Sequence, residues 1–221
     1  MQPYFPDYGQ VEHEYLSKYP DGYVIGIDEA ARGTLAGGMY AAAVALNISG
    51  YTELKDRIYD SKLTHTPQLR SVLAELIHAH SVSCVARVDA AEINTGTNLD
   101  TLNRRVMQEA LDGVVAAIGT VPVAVFCDST HLPPSYNGTP VETFVKGERH
   151  FVSIAAASIM AKSEFDTEVD EMDKKYPKYA FRAHSGYGTA SHLGKIRAMG
   201  YLPVHRLTYK CFRGIKPNPN Y

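Results

Sequence analysis

No stretch of the chain approaches the roughly 18 consecutive apolar residues that a membrane-spanning helix needs. The opening MQPYFPDYGQVEHEYLSKYPDGY is polar, acidic and proline-bearing, unlike a secretory signal. Neither a spanning nor an exported protein is expected. Cysteine is scarce, and Cys84, Cys127 and Cys211 are odd in number and far apart, so neither a disulfide framework nor a CxxC metal knuckle is on offer. A reducing, cytoplasmic compartment is expected. Internal repeats and low-complexity blocks are absent. With 45% hydrophobic and 21% charged residues, the composition argues against long disorder and fibrous architecture. A chain of 221 residues and 24.3 kDa is long enough for one domain with a real core.

Negative charge is missing from one end. Residues 174–221 carry 10 Lys/Arg and no Asp/Glu, whereas residues 1–173 carry 12 Lys/Arg against 24 Asp/Glu. The basic segment also holds Tyr176, Tyr179, Tyr187, Tyr201, Tyr209 and Tyr221 with His184, His192 and His205. These residues supply cations for phosphates and flat rings for sugars or bases. Taken alone, such a segment is more often a solvated face with some core tyrosines.

Short apolar runs read as strands at 23–29, 39–46, 81–88 and 122–128, with a hairpin strand at 139–145. Thr66-Pro67 offers an N-cap and a first-turn proline, and Leu69, Val72, Leu73, Leu76 and Ile77 follow at helical spacing. A long amphipathic helix is expected over 98–118, stopped by Gly119, and further helices over about 151–176 and 190–199. Strands lead, helices follow, and carboxylates collect at strand ends. This is the pattern of a mixed α/β sheet with helices packed on it, whose ligand sites lie beyond strand termini.

Asp28 and Glu29 end one apolar strand and Asp128 ends another. If those strand ends are neighbours, three charges converge. Ser158, Lys162 and Asp166 recur every four residues on an Ala- and Ile-rich helix, a polar stripe able to face the same cluster. Four crowded carboxylates raise one another's pKa unless cations neutralise them, and an all-oxygen site prefers Mg²⁺ or Mn²⁺. Two such ions roughly 3.5–4 Å apart activate a water, steady the departing oxygen and clamp an in-line phosphoryl displacement. On a regular strand Asp28 and Glu29 point to opposite faces, so both enter one site only if the chain bends at Glu29. Singly, each acid has a plainer reading. A strand-end aspartate is more often a turn or capping group, and Asp166 pairs with Lys162 at i,i+4 spacing.

The blocks GIDEAARGTLAGGMYAAAVAL, DSK (60–62), FCDS (126–129), VKGE (145–148), SIAAASIMAKSEFD (153–166), SGYGTASH (185–192) and His205-Arg206 occur in the order seen in type 2 ribonuclease H. The chain resembles ribonuclease HII over roughly residues 23–213. The resemblance implies a ribonuclease-H-like mixed sheet with flanking helices and a helical C-terminal segment. It implies a catalytic domain at 21–213 between an N-terminal extension (1–20) and a tail (214–221). The implied activity is metal-dependent endonucleolytic cleavage, leaving 5′-phosphate ends, of RNA paired with DNA and at single ribonucleotides embedded in DNA, in support of ribonucleotide and primer removal. The family's four acidic metal ligands fall on Asp28, Glu29, Asp128 and Asp166. Its loop that meets the ribose 2′-OH falls on Ala31, Arg32 and Gly33. Its tyrosine beneath the sugar at the RNA-to-DNA junction falls on Tyr187, and its phosphate-contacting lysines fall on Lys62 and Lys146. A 2′-OH is what separates RNA from DNA, while phosphates fix register.

Where the family pattern has glycine, this chain has Ala31. If that position needs positive φ, the methyl group costs about 1–2 kcal/mol. FCDS and KGE depart from the pattern outside the four ligands. The chain ends IKPNPNY without a glutamine followed by paired aromatics, so no sliding-clamp peptide is expected, and a monomer is. Type 3 ribonuclease H, a hybrid-binding protein with crippled catalysis, and a carboxylate-rich domain without nucleic-acid role are the competing readings. His192 and Arg206 read equally as structural groups or functional ones.

Overall fold

The computed structural model describes residues 8–58, 66–128 and 132–221. Its centre is a six-stranded sheet in the order β3-β2-β1-β4-β6-β5, built from β1 (Val24–Ala30), β2 (Met39–Leu46), β3 (Val82–Val88), β4 (Ala124–Cys127), β5 (Ser135–Tyr136) and β6 (Thr139–Thr143). β1, β2 and β3 form an antiparallel meander, β4 joins β1 in parallel, and β6 joins β4 in parallel. The sheet is therefore mixed. The helices are α1 (Gln10–Lys18), α2 (Ile48–Ile58), α3 (Pro67–His80), α4 (Ala90–Ile93), α5 (Leu99–Ile118), α6 (Val152–Lys175) and α7 (Ala190–Met199).

Alternation along the central strands sends side chains into two cores. Ile25 and Ile27 of β1, with Ala41, Ala43 and Ala45 of β2, meet Val106, Ala110 and Val114 of α5. Val24 and Ala30, with Ala42, Val44 and Leu46, face α6 and its neighbours. Every residue of β2 is buried, as befits a strand covered on both faces. α6 is buried on all sides from Val152 through Ala161, because it lies between the sheet and a further layer of helices. It approaches closely enough at Gly26 that a Cβ there would stand 2.1 Å from the carbonyl carbon of Ser153. Only glycine fits at that crossing.

The helix signals operate as expected. Thr66 Oγ1 accepts from Leu69 N–H at 3.3 Å and Pro67 opens α3, Asn98 caps α5, and Gly119 at φ 68° ends it. The hairpin strand expected to reach 145 ends at Thr143, because Lys146 turns the chain at φ 61°. α1, α2, α4 and β5 were not anticipated. Leu16 and Glu12 of α1 are both fully buried, so residues 8–18 pack into the domain and do not stand apart as an extension. The expected tail is likewise built in: Asn218 N–H donates to Tyr201 O at 2.8 Å, and its side-chain amide donates to Tyr179 Oη at 2.9 Å. Among the described residues no helix is long and apolar enough to cross a membrane.

Candidate active site

Parallel pairing of β1 with β4 aligns Ile27 with Cys127, and Asp128 N–H donates to Ile27 O at 2.9 Å. The ends of the two strands are thus neighbours, which brings Asp28 and Glu29 of β1 beside Asp128, the residue after β4. Asp28 projects toward α6, where Ser158 hydrogen-bonds its carboxylate. Lys162, one turn on, donates to Ser158 Oγ at 2.6 Å. Burial first, and then the charges of Asp128 and Glu29, push the Asp28 carboxyl up to about 8 against the opposing pull of Ser158 and Lys162. Glu29 is raised by burial and by Asp128. Asp128 itself accepts from Gly147 N–H at 3.1 Å.

The bend expected at Glu29 is not there. The ladder runs on through Glu29↔Ala41 and Ala30↔Tyr40, and the chain first departs from extended geometry at Ala31, φ 63°. Glu29 reaches the site because it is the penultimate residue of the strand. It lines a cavity of about 400 Å³ that also borders Ala31, Arg32, Gly33, Asp166 and Tyr187.

Asp166 lies on the wall of that cavity in a bidentate pair with Arg70 of α3, Nε to Oδ2 at 2.6 Å and Nη2 to Oδ1 at 2.8 Å. The i,i+4 pairing with Lys162 does not form. The four acids therefore do not all converge. Three lie together at the strand ends, Glu29 of them lining the cavity, and the fourth is paired with a protein cation on that cavity's wall. Arg70 was missed at the sequence level, since a partner 96 residues away leaves no local spacing signal. A fifth carboxylate, Glu148 of the KGE departure that lies outside the four expected ligands, is beside Asp128, and burial and then that neighbour raise its pKa.

The residues that the resemblance assigns to substrate lie at one edge of this region or beyond the described residues. Thr34 donates to Ala31 O through both Oγ1 (3.0 Å) and its backbone N–H (3.4 Å), and the Arg32 side chain pairs with Asp100. Tyr187 lines the cavity and is 48% exposed. Lys146 is exposed on the turn that carries Gly147 and Glu148. Lys62 and its DSK patch lie outside the described residues.

A family model described as Ribonuclease HII matches residues 25–212. The chain belongs to the ribonuclease HII family. It is 40% identical over 190 residues to a ribonuclease HII of Laribacter hongkongensis, covering 86% of this chain and 91% of that one. It is 38% identical over 203 residues to the ribonuclease HII of Paracidovorax citrulli, covering 90% and 79%. In fold it matches the crystal structure of ribonuclease H2 from Pyrococcus horikoshii, with TM-score 0.72, 23% identity, and 86% and 95% of the two chains covered. It also matches Bst-RNase HIII in complex with Mn²⁺, with TM-score 0.70, 20% identity, and 90% and 70% covered. Family membership makes the protein a ribonuclease H type endonuclease, with endoribonuclease activity on RNA:DNA hybrids, in a family that depends on divalent metal.

The residues present suit such an ion. The donor set is all oxygen, the cluster is short of positive charge, and Glu29 Oε2 and Glu148 Oε2 are buried without a hydrogen-bond partner. Orphaned carboxylate oxygens in a polar cavity are costly unless a cation or water meets them. Among the described residues no three His, Cys, Asp or Glu side chains stand already arranged as a chelating group, and Asp166 is held by Arg70.

Proposed function

We propose that this ribonuclease HII cleaves the RNA strand of hybrids and also nicks duplex DNA at single embedded ribonucleotides, in support of ribonucleotide removal and primer removal. One observation carries this reading: Glu29 at the end of β1, Asp166, the Ala31-Arg32-Gly33 loop and the exposed Tyr187 line one cavity, with Asp28 and Asp128 close enough to Glu29 to act on its charge. Asp28, Glu29 and Asp128 would hold Mg²⁺ or Mn²⁺, with Asp166, now engaged by Arg70, as the fourth ligand. What divalent ions supply when bound is activation of the attacking water and neutralisation of charge on the departing oxygen.

The chain's own residues do the rest. The loop backbone reads the 2′-OH, and Tyr187 stacks beneath the following sugar, where an additional hydroxyl would be felt sterically. Lys62 and Lys146 contact phosphates and set register without reading sequence. Lys162, already linked to Asp28 through Ser158, balances part of the cluster's charge.

The test is nicking of a DNA duplex carrying one ribonucleotide, beside a continuous hybrid, by the purified protein with Mg²⁺ or Mn²⁺. Cleavage of both substrates is expected. Cleavage of the hybrid alone would limit the protein to the coarser activity.

A further inference from the structure

Behind Tyr187 lie three buried histidines, His184, His192 and His205, of which the latter two are fully inaccessible. Their hydrogen bonds determine where each ring proton sits. His205 Nδ1 accepts from Leu202 N–H at 2.7 Å, so the single proton of a neutral His205 ring is on Nε2. That Nε2 lies 3.1 Å from His192 Nε2, which must then accept. The His192 proton is left on Nδ1, 2.9 Å from the carbonyl oxygen of Tyr187. Burial keeps both rings neutral, depressing His192 to about 4 and His205 to about 3. His184 stacks on His192, with centroids 4.1 Å apart, and holds that ring's plane.

The next residue secures the other half of the ribose-facing surface. Arg206 is fully buried and donates from Nε to Gly37 O (2.8 Å), from Nη1 to Arg32 O (2.9 Å) and from Nη2 to Gly38 O (2.7 Å). Between the two halves, Leu35 N–H donates to Gly186 O, and Arg206 N–H donates to Leu35 O, each at 2.8 Å.

We propose that His192 and His205 form a directional relay, Leu202 N–H to His205 to His192 to Tyr187 O, and are positioning residues that, together with Arg206, set the Tyr187 ring at a fixed separation from the Ala31-Arg32-Gly33 loop. The last bond of the relay, His192 Nδ1–H to Tyr187 O, thereby governs discrimination in favour of an embedded ribonucleotide, and His205 serves by fixing the tautomer that leaves this donor in place. This inference rests on the proposed role of Tyr187 and adds the device that holds it.

Two substitutions in the full-length protein separate positioning from bulk stability. His192→Asn keeps an N–H at the Nδ1 position for Tyr187 O and gives up the contact with His205. His192→Gln keeps a polar atom near His205 and gives up the donor to Tyr187. The readout is kcat/KM on a duplex with one ribonucleotide divided by kcat/KM on a continuous hybrid. His192→Gln is expected to lower this ratio about five- to tenfold, the worth of one lost buried hydrogen bond, and His192→Asn to restore it to within about twofold. A ratio unchanged in both variants, or lowered equally in both, overturns the relay. Nitrogen-15 histidine spectra of the wild-type protein give a check that needs no activity and no folded variant. They should show the proton on Nδ1 for His192 and on Nε2 for His205, and any other tautomer pair refutes the proposal. If the wild type cleaves neither substrate, the functional reading fails, and the tautomers alone decide the relay.

Discussion

Ala31 shows how much one methyl group can be asked to tolerate. It sits at φ 63°, a conformation that costs a non-glycine residue about 1–2 kcal/mol, and it is held there by two hydrogen bonds from Thr34. Ala31→Gly relieves that strain but restores freedom to the unfolded chain, so the net gain should be under about 1 kcal/mol, read as a small rise in melting temperature. Its larger effect is expected on the loop's approach to substrate. Activity at a single ribonucleotide should rise more than activity on a continuous hybrid, and an equal or falling ratio in paired assays would remove the argument. The departure from glycine was legible in the chain, but the positive φ that gives it weight was not. Local pattern also revealed Asp28, Glu29 and Asp128, because a carboxylate ending an apolar strand stands out. Arg70 and Glu148 escaped because their significance comes from partners in space, Asp166 on another helix and Asp128 just past the end of β4.

Among the elements, α6 matters most, since it carries Ser158, Lys162 and Asp166 past the ends of β1 and β4. Its seat on the sheet depends on Gly26, where β1 leaves no room for a side chain beneath the Ser153-Ile154 backbone. Gly26→Ala should cost at least about 3 kcal/mol in chemical denaturation, the upper range for overpacking, because backbone cannot yield as a side chain can. Cleavage should be lost even where the variant remains folded, and a variant of near-wild-type stability would show that the crossing is looser than described. α1 secures the same end of α6: Glu12 accepts from Val152 N–H at 2.6 Å and Ser153 N–H at 2.8 Å. Burial outweighs those bonds and raises Glu12 to about 7. A carboxyl raised on folding binds protons more tightly in the native state, so its contribution is full below about 4.5 and is lost as pH rises through 7. Relative to Glu12→Gln, the wild type should lose up to about 1 kcal/mol of stability per pH unit across that window. Parallel pH profiles in urea titrations would contradict this. α1 was not legible because little of it faces the core, only Glu12 and Leu16 being buried, whereas α2 does carry a readable stripe in Tyr51, Leu54 and Ile58 that went unread.

For the molecule as a whole, the mixed sheet with flanking helices followed from the order of apolar runs and capping signals. The joining of β1 to β4 follows only from the three-dimensional pairing, and that join brings the acidic strand ends together. The uneven distribution of charge acquires a role at this scale. The acid-free C-terminal segment supplies Tyr187 to a cavity that Glu29 and Asp166 also line, so the proposed phosphate-facing and ion-holding residues come from different parts of the chain. The account stands or falls with the carboxylates at the strand ends, and Asp128→Asn, which keeps size and removes charge, addresses them most directly. The measurement is Mg²⁺- or Mn²⁺-dependent nicking of a duplex carrying one ribonucleotide, made beside hybrid binding, for the wild type and this variant. The expected result is metal-dependent cleavage by the wild type, and in the variant a loss of cleavage with binding largely retained. Undiminished turnover by Asp128→Asn would contradict the central claim.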